Sequence, residues 1–338
     1  MKNKIKIALL DTGVNALHPY LKNSIKKCYV VVCEGTSCRI DLIENNNNDN
    51  NGHGTAGASV IKKECPNIEL YSFKILDLKG ICNLQLLETA LSYIKHMDIK
   101  LINLSLAIMD RVNVHYIKKI CEELKEEGKI IVSALANRQK KSYPATLKNC
   151  IGVQGSILNT CNSLWFNQFK RIQCVVDSTP YLHCNKEGNY SMYGKCNSYS
   201  AAKLTGLIAA IMYENHNISR NQILENLKNR SEKKYWTQFD LRKSKRYPKI
   251  DVFKEEVNEK LNCKIEESIK HYLGLHGDVT LQGELLFSKK VGLYYDDCYN
   301  LLKRIELDFG FTIIDYTTIS REDFYSVNHL AHLVNTYI

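Results

Sequence analysis

The chain has 338 residues, of which 44% are hydrophobic and 24% charged, and its net charge is +10. This is the composition of an ordinary globular protein, long enough for one large domain and a small one. It contains no apolar run of about 18 residues, so we expect no membrane-spanning helix. The basic and then apolar start, residues 1–13, lacks a cleavage site and is too short for a signal peptide, so it is interpreted as a first strand.

The first 230 residues alternate between strand-like and helix-like segments. Apolar strand patterns occur at 4–11, 70–76, 100–107 and 129–137, and amphipathic helix patterns at 84–97 and 114–128. Near-continuous apolar strands separated by helices predict an α/β fold with a doubly wound, mainly parallel sheet. Ligand sites in such sheets lie beyond the carboxyl ends of strands. Asp11 and Asn137 both fall at predicted strand ends.

The C-terminal part of the chain differs in pattern and charge. Residues 261–338 hold seven Lys/Arg against eleven Asp/Glu, although the whole chain is basic. This asymmetry predicts a large domain over 1–240, a basic linker over 241–260 and a small helical bundle over 261–338. The basic part lacks zinc-finger and aromatic-interleaved motifs, so no nucleic-acid partner is predicted.

The thirteen cysteines are scattered and form no closely spaced pairs of the CxxC type. They predict reduced thiols in a cytoplasmic protein, not a disulfide framework or a zinc site. The Asn-rich tract 45–51 contains a single acid, Asp49. It is interpreted as a mobile, solvated loop, because one carboxylate is too few for a calcium site. The sequence therefore predicts no cofactor and no metal.

Three short strings carry the candidate chemistry: LLDTGVN at Asp11, NGHGTAG at His53 and CNSYSAAKLTG at Ser198. Acyl transfer needs a histidine that takes the serine proton and a buried carboxylate that orients the histidine. Ser198 also begins an apolar helix, whose first backbone N–H groups favour negative charge. Together the three strings indicate a serine hydrolase site.

In this order, the motifs resemble the subtilisin-like (S8) serine proteases over residues 1 to about 230. The resemblance implies a subtilisin-like fold, with Asp11 as the carboxylate, His53 as the base and Ser198 as the nucleophile. It also implies that Asn137, in SALAN, stabilises the oxyanion. The implied substrate-binding residues are Leu104, Ser105, Leu106, Ala107, Leu135 and Ala136.

Several positions depart from the family pattern. Cys196 and Asn197 stand where the family has Gly-Thr, and Ala136 and Ala107 stand where it has glycine. The added methyl groups would narrow the cleft or change specificity. No catalytic group is lost, so an active enzyme is favoured over an inactive scaffold.

The predicted function is that of an intracellular serine endopeptidase that forms an acyl-enzyme on Ser198. Its substrate is a peptide or protein, with maturation of a specific precursor as a candidate role. Two alternatives stay open: an inactive subtilase-fold binding protein, and a transamidase or macrocyclase. An aspartic protease, which LLDTG would also fit, is disfavoured because there is no second DTG and the pattern is α/β. Three basic residues follow Asn137, namely Arg138, Lys140 and Lys141. They lead to the hypothesis that the enzyme prefers substrates with acidic groups.

The segment from GLYYDDCYNLLKRIELDFG to the C-terminus resembles acyl and peptidyl carrier proteins. The serine that carries phosphopantetheine in those proteins would fall at Tyr295. A phenol is not the usual attachment point, so no phosphopantetheine is predicted there. The expected role of residues 261–338 is therefore docking of a partner protein.

Overall fold

The computed structural model describes residues 3–35, 37–43, 48–108, 114–243, 258–276 and 279–338. The chain divides into two compact units. The first comprises Met1–Ser178, Cys184–Asn189 and Gly194–Lys245, and the second Thr179–His183, Tyr190–Tyr193 and Arg246–Ile338. Most of the predicted linker, 241–260, lies outside the described residues.

The strands are short, and most belong to one sheet in the first unit. In chain order they are β1 (Ile5–Asp11), β2 (Ile25–Glu34), β3 (Ser37–Ile43), β4 (Ile68–Lys74), β5 (Leu101–Leu104), β6 (Ile130–Ala134), β7 (Cys150–Ser156), β8 (Leu164–Phe166), β9 (Cys174–Asp177), β10 (Tyr181–Cys184) and β11 (Tyr190–Tyr193).

The nine-stranded sheet has the order β3-β2-β4-β1-β5-β6-β7-β9-β8. Its internal pairings are parallel, and the edge strands β3 and β8 pair antiparallel with their neighbours. β1 is central, and its residue Leu10 lies opposite Phe73 of β4 and Leu104 of β5. This confirms the predicted α/β fold with a mainly parallel sheet.

The helices are α1 (His53–Glu64), α2 (Leu84–Lys95), α3 (Val114–Glu126), α4 (Asn197–Glu214), α5 (Arg220–Arg230), α6 (Gln238–Lys243), α7 (Glu259–Leu273), α8 (Cys298–Phe309) and α9 (Val327–Asn335). α2 and α3 match the two predicted amphipathic helices. α3 is followed by Gly128, whose φ of 76° is the left-handed conformation that ends helices. Among the described residues, no helix combines the length and apolar character that a membrane crossing requires.

The edge hairpin β2–β3 contains a disulfide that the sequence did not predict. Cys33 and Cys38 lie directly opposite each other, with their Cα atoms 4.1 Å apart, and their sulfurs are bonded. The prediction of thirteen reduced thiols is wrong at this pair, because the strand register that juxtaposes them is not visible in cysteine spacing. The other eleven cysteines are not in disulfides.

The second unit has its own apolar core, built from α7, α8 and α9 and from the β10–β11 hairpin. The hairpin contributes Leu182 and Met192 to this core. A buried carboxylate, Glu306, accepts hydrogen bonds from the Ile313 amide at 2.6 Å and the Tyr316 hydroxyl at 2.7 Å. The predicted C-terminal helical region is thus present, and it also recruits two strands that precede α4 in the chain.

Tyr295, the position of interest in the carrier-like segment, begins a short 3-10 turn just before α8. Its ring meets the ring of Phe287 edge-on, with centroids 5.3 Å apart. The resemblance of this segment to carrier proteins stays a prediction.

Candidate active site

Asp11 is the last residue of β1 and is fully buried. Its Oδ1 accepts a hydrogen bond from the Thr12 amide at 2.8 Å and lies 2.7 Å from His53 Nδ1. The second carboxylate oxygen, Oδ2, is buried and has no hydrogen-bond partner within the described part of the chain. A buried carboxylate bound to Nδ1 fixes the imidazole ring and leaves its Nε2 available for proton transfer.

His53 is the first residue of α1, and tight backbone packing brings this helix end to Asp11. Gly52, just before the helix, has φ of 99°, a conformation that glycine adopts without strain. A Cβ on Gly54 would lie 2.0 Å from the Gly13 carbonyl oxygen and 3.1 Å from the Asp11 Cβ. Only glycine fits at 54, so the glycines around the histidine allow the close approach of α1 to β1.

Asp49 organises the same helix end, and the sequence interpretation missed it. The carboxylate is buried and accepts hydrogen bonds from the Thr12 hydroxyl (2.7 Å), the Gly52 amide (2.8 Å) and the amide and hydroxyl of Thr55 (2.8 and 2.6 Å). Asp49 is therefore a buried, hydrogen-bonded residue, whereas Asn50 and Asn51 are exposed and 45–47 lie outside the described residues. The signal available in the sequence was one acid placed just before a helix start.

The pKa of His53 is raised well above its ordinary value. Burial opposes the charged imidazolium, but the negative charge and hydrogen bond of Asp11 outweigh it, and a hydrogen bond with the Cys196 side chain adds to the effect. The site therefore stabilises a proton on His53, as a base must when it takes a proton from a nucleophile.

Ser198 lies in the first turn of α4, with neighbours on both sides in contact with His53. The Cys196 side chain is near enough to raise the pKa of the imidazole, and the Tyr199 ring stacks on the imidazole with centroids 5.0 Å apart. The Ser198 hydroxyl itself donates to the Ser105 carbonyl at 3.1 Å. The structure thus places residues on both sides of Ser198 near the histidine, and the Ser198 hydroxyl has the Ser105 carbonyl as its acceptor.

Asn137 follows β6 and is tied to the residue before Ser198. Its Oδ1 accepts a hydrogen bond from the Asn197 amide at 3.0 Å. The Asn197 side chain in turn donates to the Leu135 carbonyl and accepts from the Gly155 amide, at 2.8 and 2.9 Å. With Oδ1 occupied as an acceptor, the amide nitrogen of Asn137 is the group left to donate to a substrate oxygen.

The predicted substrate-binding residues fall into two neighbouring segments. Leu104 ends β5, and Ser105, Leu106 and Ala107 follow it, whereas Leu135 and Ala136 follow β6, the strand paired with β5. Ser105 contacts the site directly through the hydrogen bond from Ser198. Just beyond, Ile108 and Tyr143 exchange two backbone hydrogen bonds, of 2.8 and 3.0 Å.

Behind Ser105, a buried polar chain links β5 to α4. Asn103 Nδ2 donates to Ser105 Oγ at 2.7 Å, and the Thr205 hydroxyl donates to Asn103 Oδ1 at 2.9 Å. Because all three side chains are buried, each bond replaces hydration lost on folding. This chain fixes α4, and with it Ser198, against the strand end.

The sequence profile of the subtilase family (peptidase S8) matches residues 2–248. The chain belongs to the subtilase family, whose characterised members are serine endopeptidases. It is 26% identical over 238 residues to an alkaline protease of Alkalihalobacillus alcalophilus, covering 67% of this chain and 58% of that protein. It is 28% identical over 163 residues to the subtilisin-like protease SBT6.1 of Arabidopsis thaliana, covering 45% of this chain and 14% of that protein.

Solved structures share the fold. Sphericase superposes with a TM-score of 0.54 at 21% identity, covering 68% of this chain and 83% of its own. A structure described as a lanthipeptide protease gives the same TM-score at 18% identity, covering 67% and 79%. These likenesses define a subtilisin-like fold.

Proposed function

We propose that this chain is a serine endopeptidase that cleaves peptide bonds through an acyl-enzyme on Ser198. The observation that carries the proposal is the set of groups around His53: Asp11 binds one side of its ring, Tyr199 stacks on the ring, and the Cys196 side chain raises its pKa. Both Cys196 and Tyr199 are close to Ser198 along the chain. These contacts support a catalytic triad of Asp11, His53 and Ser198, three groups that are remote in sequence.

In the proposed mechanism, the Ser198 hydroxyl turns from the Ser105 carbonyl toward His53 and attacks the substrate carbonyl carbon. His53 takes the hydroxyl proton and later gives it to the leaving amine, while Asp11 stabilises the imidazolium. Water then attacks the acyl-enzyme, again with His53 as the base, and releases the acid product. Catalytic hydrogen bonds of this kind often form or tighten only with substrate bound.

The oxyanion formed during attack would receive hydrogen bonds from two donors. One is the amide nitrogen of Asn137, and the other is the Ser198 backbone N–H at the N-terminal end of α4. The loss of a single donor of this kind costs roughly 10²–10³ in turnover. The Asn137–Asn197 hydrogen bond supports this role because it orients the asparagine before substrate arrives.

The proposal is tested with a fluorophosphonate probe, which reacts with activated serines. We expect labelling of the wild-type protein and none of Ser198→Ala, together with digestion of a denatured protein substrate by the wild type alone. A folded protein that neither labels nor digests would contradict the proposal and favour a binding protein that kept the subtilase fold. Mass spectrometry of products separates hydrolysis, which adds water, from transamidation, which does not.

The setting of this activity belongs to the same proposal. We propose intracellular maturation of a specific peptide precursor, with residues 261–338 as the docking module. Eleven of the thirteen cysteines are outside disulfides, Cys33 and Cys38 being the bonded pair, and this majority supports a reducing compartment. On the second unit, Leu307 and Ile314 are 79% and 94% exposed, which supports a surface for a partner.

The docking role is tested by replacing Leu307 and Ile314 with lysine together. We expect KM to rise several-fold for a long polypeptide substrate and to stay unchanged for a ten-residue peptide with the same cleavage site. Equal effects on both substrates would contradict docking through this surface.

A further inference from the structure

An open cavity of about 820 Å³ lies beside Asn137 and Asn197, the two asparagines next to the proposed nucleophile. Within the described part of the chain, no carboxylate lines this cavity, whereas cations from three separate segments do. Those cations are Arg138 and Lys140 after β6, Lys195 before α4, and Arg242 on α6. Convergence of cations from separate segments concentrates positive potential in one concave place.

Two of these cations occupy costly backbone positions. Arg138 and Lys195 have φ of 62° and 58°, and they are the non-glycine residues with positive φ in the described ranges. A side chain at positive φ costs energy that glycine would avoid, and such residues cluster at functional sites. Both positions hold a long cation, and both cations line the same cavity. This coincidence distinguishes the cavity from an ordinary solvated basic loop.

The third segment, α6, is held in place, and its own acid is already paired. Ser156 Oγ donates to the Leu241 carbonyl at 3.2 Å, which fixes the helix next to the cavity. Asp240 forms an ion pair with Lys233 at 2.6 Å and also accepts from the Thr237 amide. Arg242 is therefore not neutralised by the acid two residues before it. Neither Arg138, Lys140 nor Arg242 makes an ion pair with another described residue.

We propose that this cavity binds the carboxylate side chain of an Asp or Glu in the peptide substrate, close to the bond that is cut. The inference rests on the proposed endopeptidase function and names its substrate class. Arginine side chains pair with carboxylates through two parallel hydrogen bonds, which gives geometric selectivity as well as attraction. The location of the cavity also fits, because Asn197 lines it and is the residue directly before the proposed nucleophile, Ser198.

The test is digestion of a mixture of random decapeptides by the full chain, with mass spectrometry of the cut sites. The peptides are amidated at the C-terminus, so that side chains are their only carboxylates. We expect Asp and Glu to be enriched about tenfold at one position within three residues of the cut bond, the size expected for charge-assisted hydrogen bonds. The assignment would be overturned if Asp and Glu are not enriched near the cut bond. It would also be overturned if they are enriched only in peptides that keep a free C-terminal carboxylate.

Variants then locate the preference. Lys140→Gln and Arg242→Gln should each lower the acidic enrichment several-fold, and Arg242→Glu should shift it toward Lys and Arg. Lys141→Gln is the matched control, because Lys141 belongs to the same loop but lies over the Tyr143 ring, 5.0 Å from its centroid, and does not line the cavity. Equal effects of the Lys140 and Lys141 substitutions would contradict the cavity as the origin.

Two readouts separate this inference from the proposed function. Probe labelling of Ser198 without any acidic preference would overturn the inference and leave the endopeptidase proposal standing. If Ser198 does not label, that proposal fails, and the inference is decided by binding alone. Ser198→Ala should then bind fluorescent acidic decapeptides several-fold more tightly than their Asn/Gln counterparts, as fluorescence anisotropy measures, and equal affinities would overturn it.

Discussion

The charge on His53 depends mainly on one buried partner, Asp11, which makes the protonation of His53 a measurable property of the site. Its pKa is raised, because the charge and hydrogen bond of Asp11 outweigh the cost of burial. A general base works only when deprotonated, so we expect kcat/KM to rise with pH along a curve whose midpoint lies above 6.5, the ordinary histidine value. Asp11→Asn should move this midpoint to lower pH and reduce the rate, as pH-rate profiles would measure.

The same shift links pH to stability. The raised pKa means that the protonated pair stabilises the folded state fully below about pH 6.5, and that this contribution disappears as pH rises through the higher folded-state value. Asp11→Asn should therefore lower the unfolding midpoint more at pH 6 than at pH 10. An equal loss in the unfolding midpoint at pH 6 and pH 10 would show that the Asp11–His53 pair does not cause the pKa shift.

Cys196 places a reactive atom against the base, and this predicts sensitivity to thiol reagents. The thiol is half-buried and is near enough to His53 to raise the pKa of the imidazole. Alkylation with iodoacetamide adds a bulky group where the imidazole must move, so we expect probe labelling of Ser198 to fall about tenfold or more. Cys196→Ser should resist the reagent, whereas Cys263→Ser, which removes an exposed thiol elsewhere, should stay sensitive.

Asp49 supports the helix that carries the base. Asp49→Ala leaves several buried donors without an acceptor, at about 1–3 kcal/mol for each unsatisfied group. We expect a loss of at least about 3 kcal/mol in the free energy of unfolding, measured with urea. Asp41→Ala on β3 is the control, because its carboxylate is 46% exposed and binds only one arginine in the described residues. Similar losses for both variants would contradict a special role for Asp49.

At the scale of elements, the site depends on how closely α1 and α4 approach. A Cβ on Gly206 of α4 would lie 2.5 Å from Glu64 Cβ and 2.8 Å from the Ile61 carbonyl oxygen on α1. Gly206→Ala should therefore separate the helices that carry His53 and Ser198 and cost about 1–3 kcal/mol, the usual range for overpacking. The midpoint of thermal unfolding and the extent of probe labelling at Ser198 should both fall.

Gly57→Ala on α1 gives the matched comparison. Its added Cβ would meet only Asp11 Oδ2, at 3.8 Å, which is ordinary contact. Alanine also favours the helical backbone, so the midpoint of thermal unfolding should stay unchanged or rise. A loss equal to that of Gly206→Ala would show that helix separation is not the cause.

The sequence predicts the elements that combine long periodic patterns with local end signals. β1, α2 and α3 are examples, and the three candidate catalytic strings lie where strand ends and helix starts were expected. It does not predict the β10–β11 hairpin, whose four-residue strands carry too short a pattern to read. It also misses the Cys33–Cys38 pairing and the burial of Asp49, because strand register and side-chain partners arise only from tertiary packing.

At the scale of the whole molecule, each unit has its own apolar core, so a substitution in one core should open that unit and leave the other closed. Glu306 is 4% exposed and satisfies the Ile313 amide and the Tyr316 hydroxyl in the second unit. Glu306→Ala leaves both without an acceptor, so we expect that unit to open first. Hydrogen exchange should rise over α7 to α9 and over the hairpin strands, and remain low in β1, β5 and β6. A uniform rise would contradict two separate cores.

The segments of the two units alternate along the chain, and this has a consequence for a truncated form of the protein. Leu182 and Met192 are translated before α4 but are covered by side chains that come after residue 260. A stop codon near residue 245 would leave these two side chains in water, so the truncated product should aggregate or be degraded. The part that matches the subtilase family, residues 2–248, should therefore not be stable when it is separated from the rest of the chain.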